Sequence, residues 1–312
     1  MKIIFFDQIQ SFTPNIIEHL KKQGHEVMLT DQFNPKFLVG ADLCWFEWCD
    51  QNIIVASQDK WPVPIICRLH SYEVFTNYPA MVRWDNVDKL IFVSDYVRSF
   101  FFSAFNQVSV DHAVIQNGID LSRWTFAKHR LPKKPKVAII GDMSAKKGVQ
   151  LLLEVISQHP EAEFHWAGPI GDPRFATLWN DYIQKIGAQE RCFYTGYQKN
   201  VNAWLEDKDL VLSCSPWESF GYSIVQSMAK GIKTLIYNFP GAQYMFPPDL
   251  LWQTTKELNH KWHDEPYWSE KYRQVVVNNA WTEERQMREI DELIARITKK
   301  PEKPAEVELA RT

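Results

Sequence analysis

Short apolar runs alternate with amphipathic stretches along most of the chain, the rhythm of βα units feeding a parallel sheet. The run Ile3-Ile4-Phe5-Phe6 predicts a buried first strand over 2–6. Thr13 then stands where a helix cap belongs, with Pro14 at the first helical position, Ile16, Ile17 and Leu20 on one face, and Gly24 as the stop. Further strands are predicted over 27–30, 41–46, 63–69, 89–93 and 113–115, and a helix over 95–105 capped by Ser94. Over 126–136 the rhythm breaks: Lys128, Arg130, Lys133, Lys134 and Lys136 surround Pro132 and Pro135 with little apolar periodicity. That segment reads as a solvated interdomain linker or, as a charge run, as a patch for anionic lipid. The βα pattern then restarts, with strands over 137–140, 163–167, 192–195, 210–213 and 234–237 and helices over 149–158, 174–186, 201–205 and 222–230. A charged amphipathic helix over 283–299 and a loose Pro/Glu/Lys-rich tail over 300–312 complete the pattern.

The fold class expected is therefore α/β, with a domain over 1–127, a linker over 128–136, a second domain over 137–281, a terminal helix over 282–299 and a tail. A length of 312 residues suits two such domains, and 45% apolar with 23% charged residues suits a soluble core. A net charge of −3 leaves no basic footprint for nucleic acid. The chain shows neither a run near the ~20 apolar residues of a membrane span nor a signal-peptide pattern, so a cytoplasmic protein is expected, at most peripheral at a membrane. Cys44, Cys49, Cys67, Cys192 and Cys214 lack metal or CxxC spacing and read as buried thiols. Aromatic content is high at 14%, which supplies core volume and also faces for stacking on sugar rings. The cluster Trp45-Phe46-Glu47-Trp48 is the candidate for a cleft edge.

In open α/β sheets ligands lie beyond the carboxyl ends of the strands, so residues just after strands carry the candidate chemistry. One such segment is Ser215-Pro216-Trp217-Glu218-Ser219-Phe220-Gly221-Tyr222-Ser223, running from a strand into a helix that Gly231 ends. A helix amino terminus offers unpaired N–H groups to a diphosphate or to sugar hydroxyls, and Gly221 keeps no side chain in the way. Glu218 at its mouth reads equally as an acceptor for sugar hydroxyls and as a helix cap. A second strand-to-helix loop, Gly141-Asp142-Met143-Ser144-Ala145-Lys146-Lys147-Gly148, is not a P-loop, yet Lys147 suits a phosphate as well as it suits an ordinary surface. His70 ends an apolar strand, as a cleft residue or a satisfied structural histidine would. Gln116-Asn117-Gly118-Ile119-Asp120 is a turn signal first and a binding signal second.

Taken in order, His70, Val93-Ser94, Ile115 to Asp120, Lys147-Gly148, Gly196 and Glu218-Ser219-Phe220-Gly221 resemble the retaining GT-B glycosyltransferases of family 4 over roughly residues 1–290, and Trp281-Thr282 resembles that family's ending. The resemblance implies GT-B architecture, two Rossmann-like domains facing a central cleft, with the nucleotide on the second and the last helix packing back on the first. It implies transfer from a nucleotide-diphosphate sugar, as co-substrate, to a glycan, lipid-linked or other small acceptor, with no cofactor and no metal. Lys147 would then bind the diphosphate beside Gly141, Glu218 the donor sugar, and the loop Phe220, Gly221, Tyr222, Ser223 would supply backbone contacts. His70 would meet the sugar from the first domain, so that His70 and Glu218 are the catalytic candidates. Three departures from the family pattern stand out. Asp142 replaces an arginine, which leaves the phosphate to Lys147 with Lys146 or Arg68. Gln226 takes the place of a ribose-binding glutamate, and Gln8 to Thr13 take that of a glycine-rich first loop. Asp142 and Gln226 motivate the alternative of a catalytically weak relative that binds nucleotide-sugar or glycan without transfer.

Overall fold

The computed structural model describes residues 1–263 and 267–298. The tail over 300–312 and the last residue expected for the terminal helix lie outside the described residues. Two units divide the chain: Met1–Val93 with Val97–Ile115 and the chain from Met287, and Ser94–Tyr96 with Gln116–Gln286.

In the first unit β1 (Lys2–Phe6), β2 (Glu26–Thr30), β3 (Leu43–Glu47), β4 (Ile65–Leu69), β5 (Lys89–Phe92) and β6 (His112–Val114) form one parallel sheet in the order 2-1-3-4-5-6. Its helices are α1 (Pro14–Lys22), α2 (Gln51–Ala56), α3 (Tyr78–Met81) and α4 (Asp95–Ala104). In the second unit β7 (Lys136–Ile140), β8 (Glu163–Ala167), β9 (Cys192–Gly196), β10 (Leu210–Ser213), β11 (Lys233–Tyr237) and β12 (Leu251–Trp252) are again all parallel, in the order 12-11-10-7-8-9. Around them run α5 (Val149–Gln158), α6 (Pro173–Lys185), α7 (Val201–Trp204), α8 (Tyr222–Ala229), α9 (Thr255–His263) and α10 (Ser269–Asn278), while α11 (Glu283–Thr298) passes into the first unit from Met287 on. Counted within the unit, that second order is the dinucleotide-fold order 3-2-1-4-5-6 read backwards, with the switch point between β7 and β10. The first sheet has its switch point between β1 and β3.

Because side chains alternate across a strand, the apolar run of β1 feeds two cores. Ile4 and Phe6 join Phe46, Cys67 and Phe92 on one face, while Ile3 and Phe5 join Trp45, Ile66 and Ile91 on the other. The second of these cores also takes Met287, Ile290, Leu293 and Ile294, one stripe of α11. The strand-and-helix rhythm of the sequence thus folds as an α/β protein with two parallel sheets.

Four expectations need correction. Trp45 and Phe46 are not at an edge: both are fully buried in β3, on opposite faces of the sheet. Thr13 precedes α1 but does not cap it, because its hydroxyl donates to Asp7 Oδ2 at 2.5 Å. The segment expected as a linker is docked on the second unit, which begins at Gln116: Ala127 N donates to Lys230 O at 3.1 Å and His129 N to Ser269 Oγ at 2.7 Å. Asn117-Gly118 form no turn and serve packing instead. Gly118 N donates to Gln286 Oε1 at 2.9 Å, Ile119 and Thr282 form a parallel bridge, and a β-carbon on Gly118 would sit 2.1 Å from Thr282 O.

Candidate functional site

Chains leaving β7 and β10 diverge at the switch point of the second sheet, and their loops bound the crevice that such a topology leaves. Lys147 comes from the first loop and Glu218 from the second. They meet there: Lys147 Nζ lies 2.5 Å from Glu218 Oε1, with the two side chains 13% and 10% exposed. Glu218 is therefore paired with a cation rather than capping α8, whose N-cap is Gly221 with no side-chain cap bond. The loop geometry follows from its glycines. Gly148 sits at φ 64°, in the left-handed region, and any β-carbon there would meet Cys214 O at 2.1 Å, so only glycine lets the start of α5 lie against the end of β10. At Gly141 a β-carbon would strike the Lys147 stem at 2.4 Å; its absence is what lets that lysine fold back across the crevice. Trp166 Nε1 donates to Gly141 O at 2.8 Å and holds the loop from β8.

The remaining candidates divide between backbone and side chain. The Phe220 side chain is core, packed edge-on to Tyr222 and Trp281, so only its main chain is available to a ligand. Tyr222, Ser223 and Gln226 are half-buried on the first turns of α8. Asp142 Oδ2 accepts from Ser144 Oγ at 2.7 Å, and Lys146 is exposed. Arg68 cannot supplement Lys147: it is fully buried in the first unit, with Nη1 on Glu47 Oε1 at 2.8 Å. Sequence reasoning missed the aromatic neighbours of Glu218. Trp217 packs against Tyr96 with ring centroids 5.7 Å apart, and Tyr96 stacks at 6.4 Å on Tyr244, which is 75% exposed. Only Trp217, adjacent to Glu218, could have been suspected; the other two are brought there by the fold.

His70 belongs to the first unit, where side chains occupy the switch point themselves. Asp7, after β1, accepts from Ile9 N and Gln10 N at 2.9 Å each, from Thr13 Oγ1, and from Trp48 Nε1 at 3.0 Å. Trp48, after β3, lies 4.1 Å from the His70 ring, and Phe12 stacks at 4.6 Å. His70 Nε2 is 2.7 Å from Glu47 Oε1, its backbone N donates to Glu73 Oε1 at 3.0 Å, and Nδ1 is buried without a hydrogen bond. Burial lowers the His70 pKa against the opposing pull of Glu47. Burial also pushes the Glu47 carboxyl up, but Arg68, His70 and Trp45 outweigh it and hold Glu47 below its ordinary value. Among the described residues no cation pairs with Glu73, and burial raises its pKa to about 8. All five cysteines are free and buried. Among the described residues no helix is long and apolar enough to cross a membrane.

Two parallel α/β units, the second with a cation and a carboxylate closing on its switch point, have the fold of GT-B glycosyltransferases. Comparison with known proteins agrees: residues 123–249 match the family described as Glycosyl transferases group 1. The lipopolysaccharide core biosynthesis mannosyltransferase LpsB of Rhizobium meliloti is 27% identical over 140 residues, an alignment that covers 40% of this chain and 40% of LpsB. A glycosyltransferase from Rickettsia africae superposes with a TM-score of 0.76 at 14% identity, covering 96% of this chain and 99% of its own. Anabaena HepE, solved in complex with UDP and glucose, superposes with a TM-score of 0.75 at 17% identity, covering 95% and 100%.

Proposed function

We propose that the protein is a retaining, metal-independent glycosyltransferase of the family 4 kind, moving a hexosyl group from a nucleotide-diphosphate sugar to a glycan or lipid-linked acceptor. The observation that carries this reading is the Lys147–Glu218 pair at the switch point of the second sheet. Each partner answers a different part of such a donor. Lys147 turns to the diphosphate and Glu218 to hydroxyls of the sugar, so the ligand exchanges one buried ion pair for two charge-assisted contacts. The main chain of Phe220 to Ser223 and the amino termini of α5 and α8 add N–H donors for the phosphates. Gln226, one turn beyond Tyr222, is assigned to the ribose.

The reaction breaks the bond from the anomeric carbon to the diphosphate oxygen and forms one to the acceptor hydroxyl oxygen on the same face. The hydroxyl proton passes to the departing phosphate oxygen. Charge develops on the diphosphate, which is where Lys147 and the helix termini act, and that stabilisation is the main catalytic task of the site. With Nε2 on Glu47, His70 has Nδ1 left to offer a sugar. The complexes of HepE with UDP and with glucose make a uridine donor the first to try. Incubation with UDP-, GDP- and ADP-sugars should release nucleoside diphosphate in the presence of acceptor, undiminished by chelator. Binding without release would mark a relative that only holds the donor, and strict metal dependence would overturn the assignment.

A further inference from the structure

We propose that His159, Glu161 and His263 form a binding site for one divalent transition-metal ion of the zinc class, at the end of the second sheet where β8 begins, opposite the donor crevice. His159 is the C-cap of α5 and Glu161 lies in the turn before β8, so both precede a strand, whereas the donor loops follow strands. His263 is the last residue of α9. One donor atom from each lies within 4.8 Å of the others. Glu161 Oε1 is 3.2 Å from His159 Nδ1 and 3.8 Å from His263 Nε2. Zinc holds nitrogen and oxygen ligands at about 2.0–2.2 Å, which puts neighbouring donors in a tetrahedral shell roughly 3.3 Å apart. The cluster reaches that geometry by side-chain rotation of His263, which is exposed. Two imidazoles and one carboxylate, with water as fourth ligand, select a borderline ion over calcium or magnesium, which favour all-oxygen shells.

A neutral His159 that donates from Nδ1 to Glu161 leaves something unexplained. His159 is 1% exposed, and its Nε2 and the Asn259 Oδ1 are both buried without a hydrogen bond, although Asn259 is near enough to act on the imidazole. An ion on Nδ1 fixes the proton on Nε2, and that N–H then has Asn259 Oδ1 to donate to. Metal-bound histidines ordinarily have such an outer partner. The orientation is already set, because the His159 ring stacks on Trp262 at 3.8 Å and 14°. The exposed His263 provides the entry path. Such an ion would tie the end of α9 to the α5–β8 turn.

The test is titration of the whole chain, stripped with chelator, with Co2+ and then Zn2+. One equivalent of Co2+ should give the visible d–d absorption of a four-coordinate site, which Zn2+ then displaces, and metal should raise the melting temperature. His263→Ala and Glu161→Gln, at positions outside the core, should abolish the band and the thermal shift. Asn259→Leu should weaken binding about 10- to 100-fold, as loss of an outer partner does. His112→Ala, in the first unit, should change nothing. Absence of the band, or a band that survives in both His263→Ala and Glu161→Gln, would overturn the site.

Discussion

At the scale of single residues, the two sheets use their switch points differently. In the second unit Lys147 and Glu218 satisfy each other, with no other side-chain hydrogen bond to either among the described residues, so a ligand can separate them. Lys147→Ala should weaken free nucleoside diphosphate and intact donor alike by about 10- to 150-fold, the worth of one charge-assisted contact, measured by calorimetry. Unchanged diphosphate affinity would place the phosphate elsewhere. Glu218→Ala should lower turnover at least ~100-fold while the protein still folds. In the first unit Glu73 is a buried acid paired with no cation among the described residues, and the sign of its effect can be worked out. The folded protein keeps the proton up to about pH 8, whereas the unfolded chain loses it near 4.5, so folding takes up a proton between those values. Stability from this group therefore falls as pH rises across that window, by about 1.4 kcal/mol per pH unit. Glu73→Gln keeps the acceptor for His70 N and Cys49 N and removes the charge, so denaturation should show a flatter profile and a variant more stable than the parent at pH 8. An unaltered pH slope would mean Glu73 ionises at its ordinary value.

Among the secondary-structure elements, periodicity located most strands and the helices with a clear apolar stripe, and missed α9, α10 and β12. The helix over 149–158 and the strands over 163–167 and 210–213 lie where the pattern put them, because the first carries one apolar stripe, the second alternates Phe164 and Trp166 with half-buried polar residues, and the third is an apolar run. β12 is two residues long, and α9 buries only Leu258 and Trp262 among polar neighbours, so neither has a period to detect. The close approach of α5 to β10 depends on Gly148, and this is where an element-scale prediction belongs. Gly148→Ala would combine a left-handed backbone with a contact at 2.1 Å to Cys214 O, so it should displace the Lys147 loop and weaken diphosphate more than it shifts far-UV circular dichroism. Normal diphosphate affinity in that variant would show that the loop tolerates the shift.

For the molecule as a whole, the terminal helix α11 belongs to the core of the first unit, whereas all the proposed donor contacts except His70 lie in the second. Leu293→Ala should therefore cost about 2–5 kcal/mol of first-unit stability, seen as faster amide exchange in β1 and β3, and leave nucleoside diphosphate affinity unchanged. Loss of that affinity would show that the nucleotide site draws on the first unit. The segment over 126–136 teaches a similar lesson. Its charges and prolines resemble a linker's, but its backbone is held by Lys230 O and Ser269 Oγ on the second unit.

By itself the sequence determined the βα rhythm, the fold class and the loops that carry Lys147 and Glu218, because local periodicity and strand-to-helix turns are written in adjacent residues. Tertiary structure alone decided what those residues meet. Glu218 lies opposite Lys147 and not at a helix cap because β7 and β10 are neighbours in the sheet though far apart in sequence. For the same reason Arg68 is spent on Glu47, Trp45 and Phe46 are core, and His70 packs against Phe12 and Trp48: pairing across a sheet is set by strand order, which no run of adjacent residues specifies.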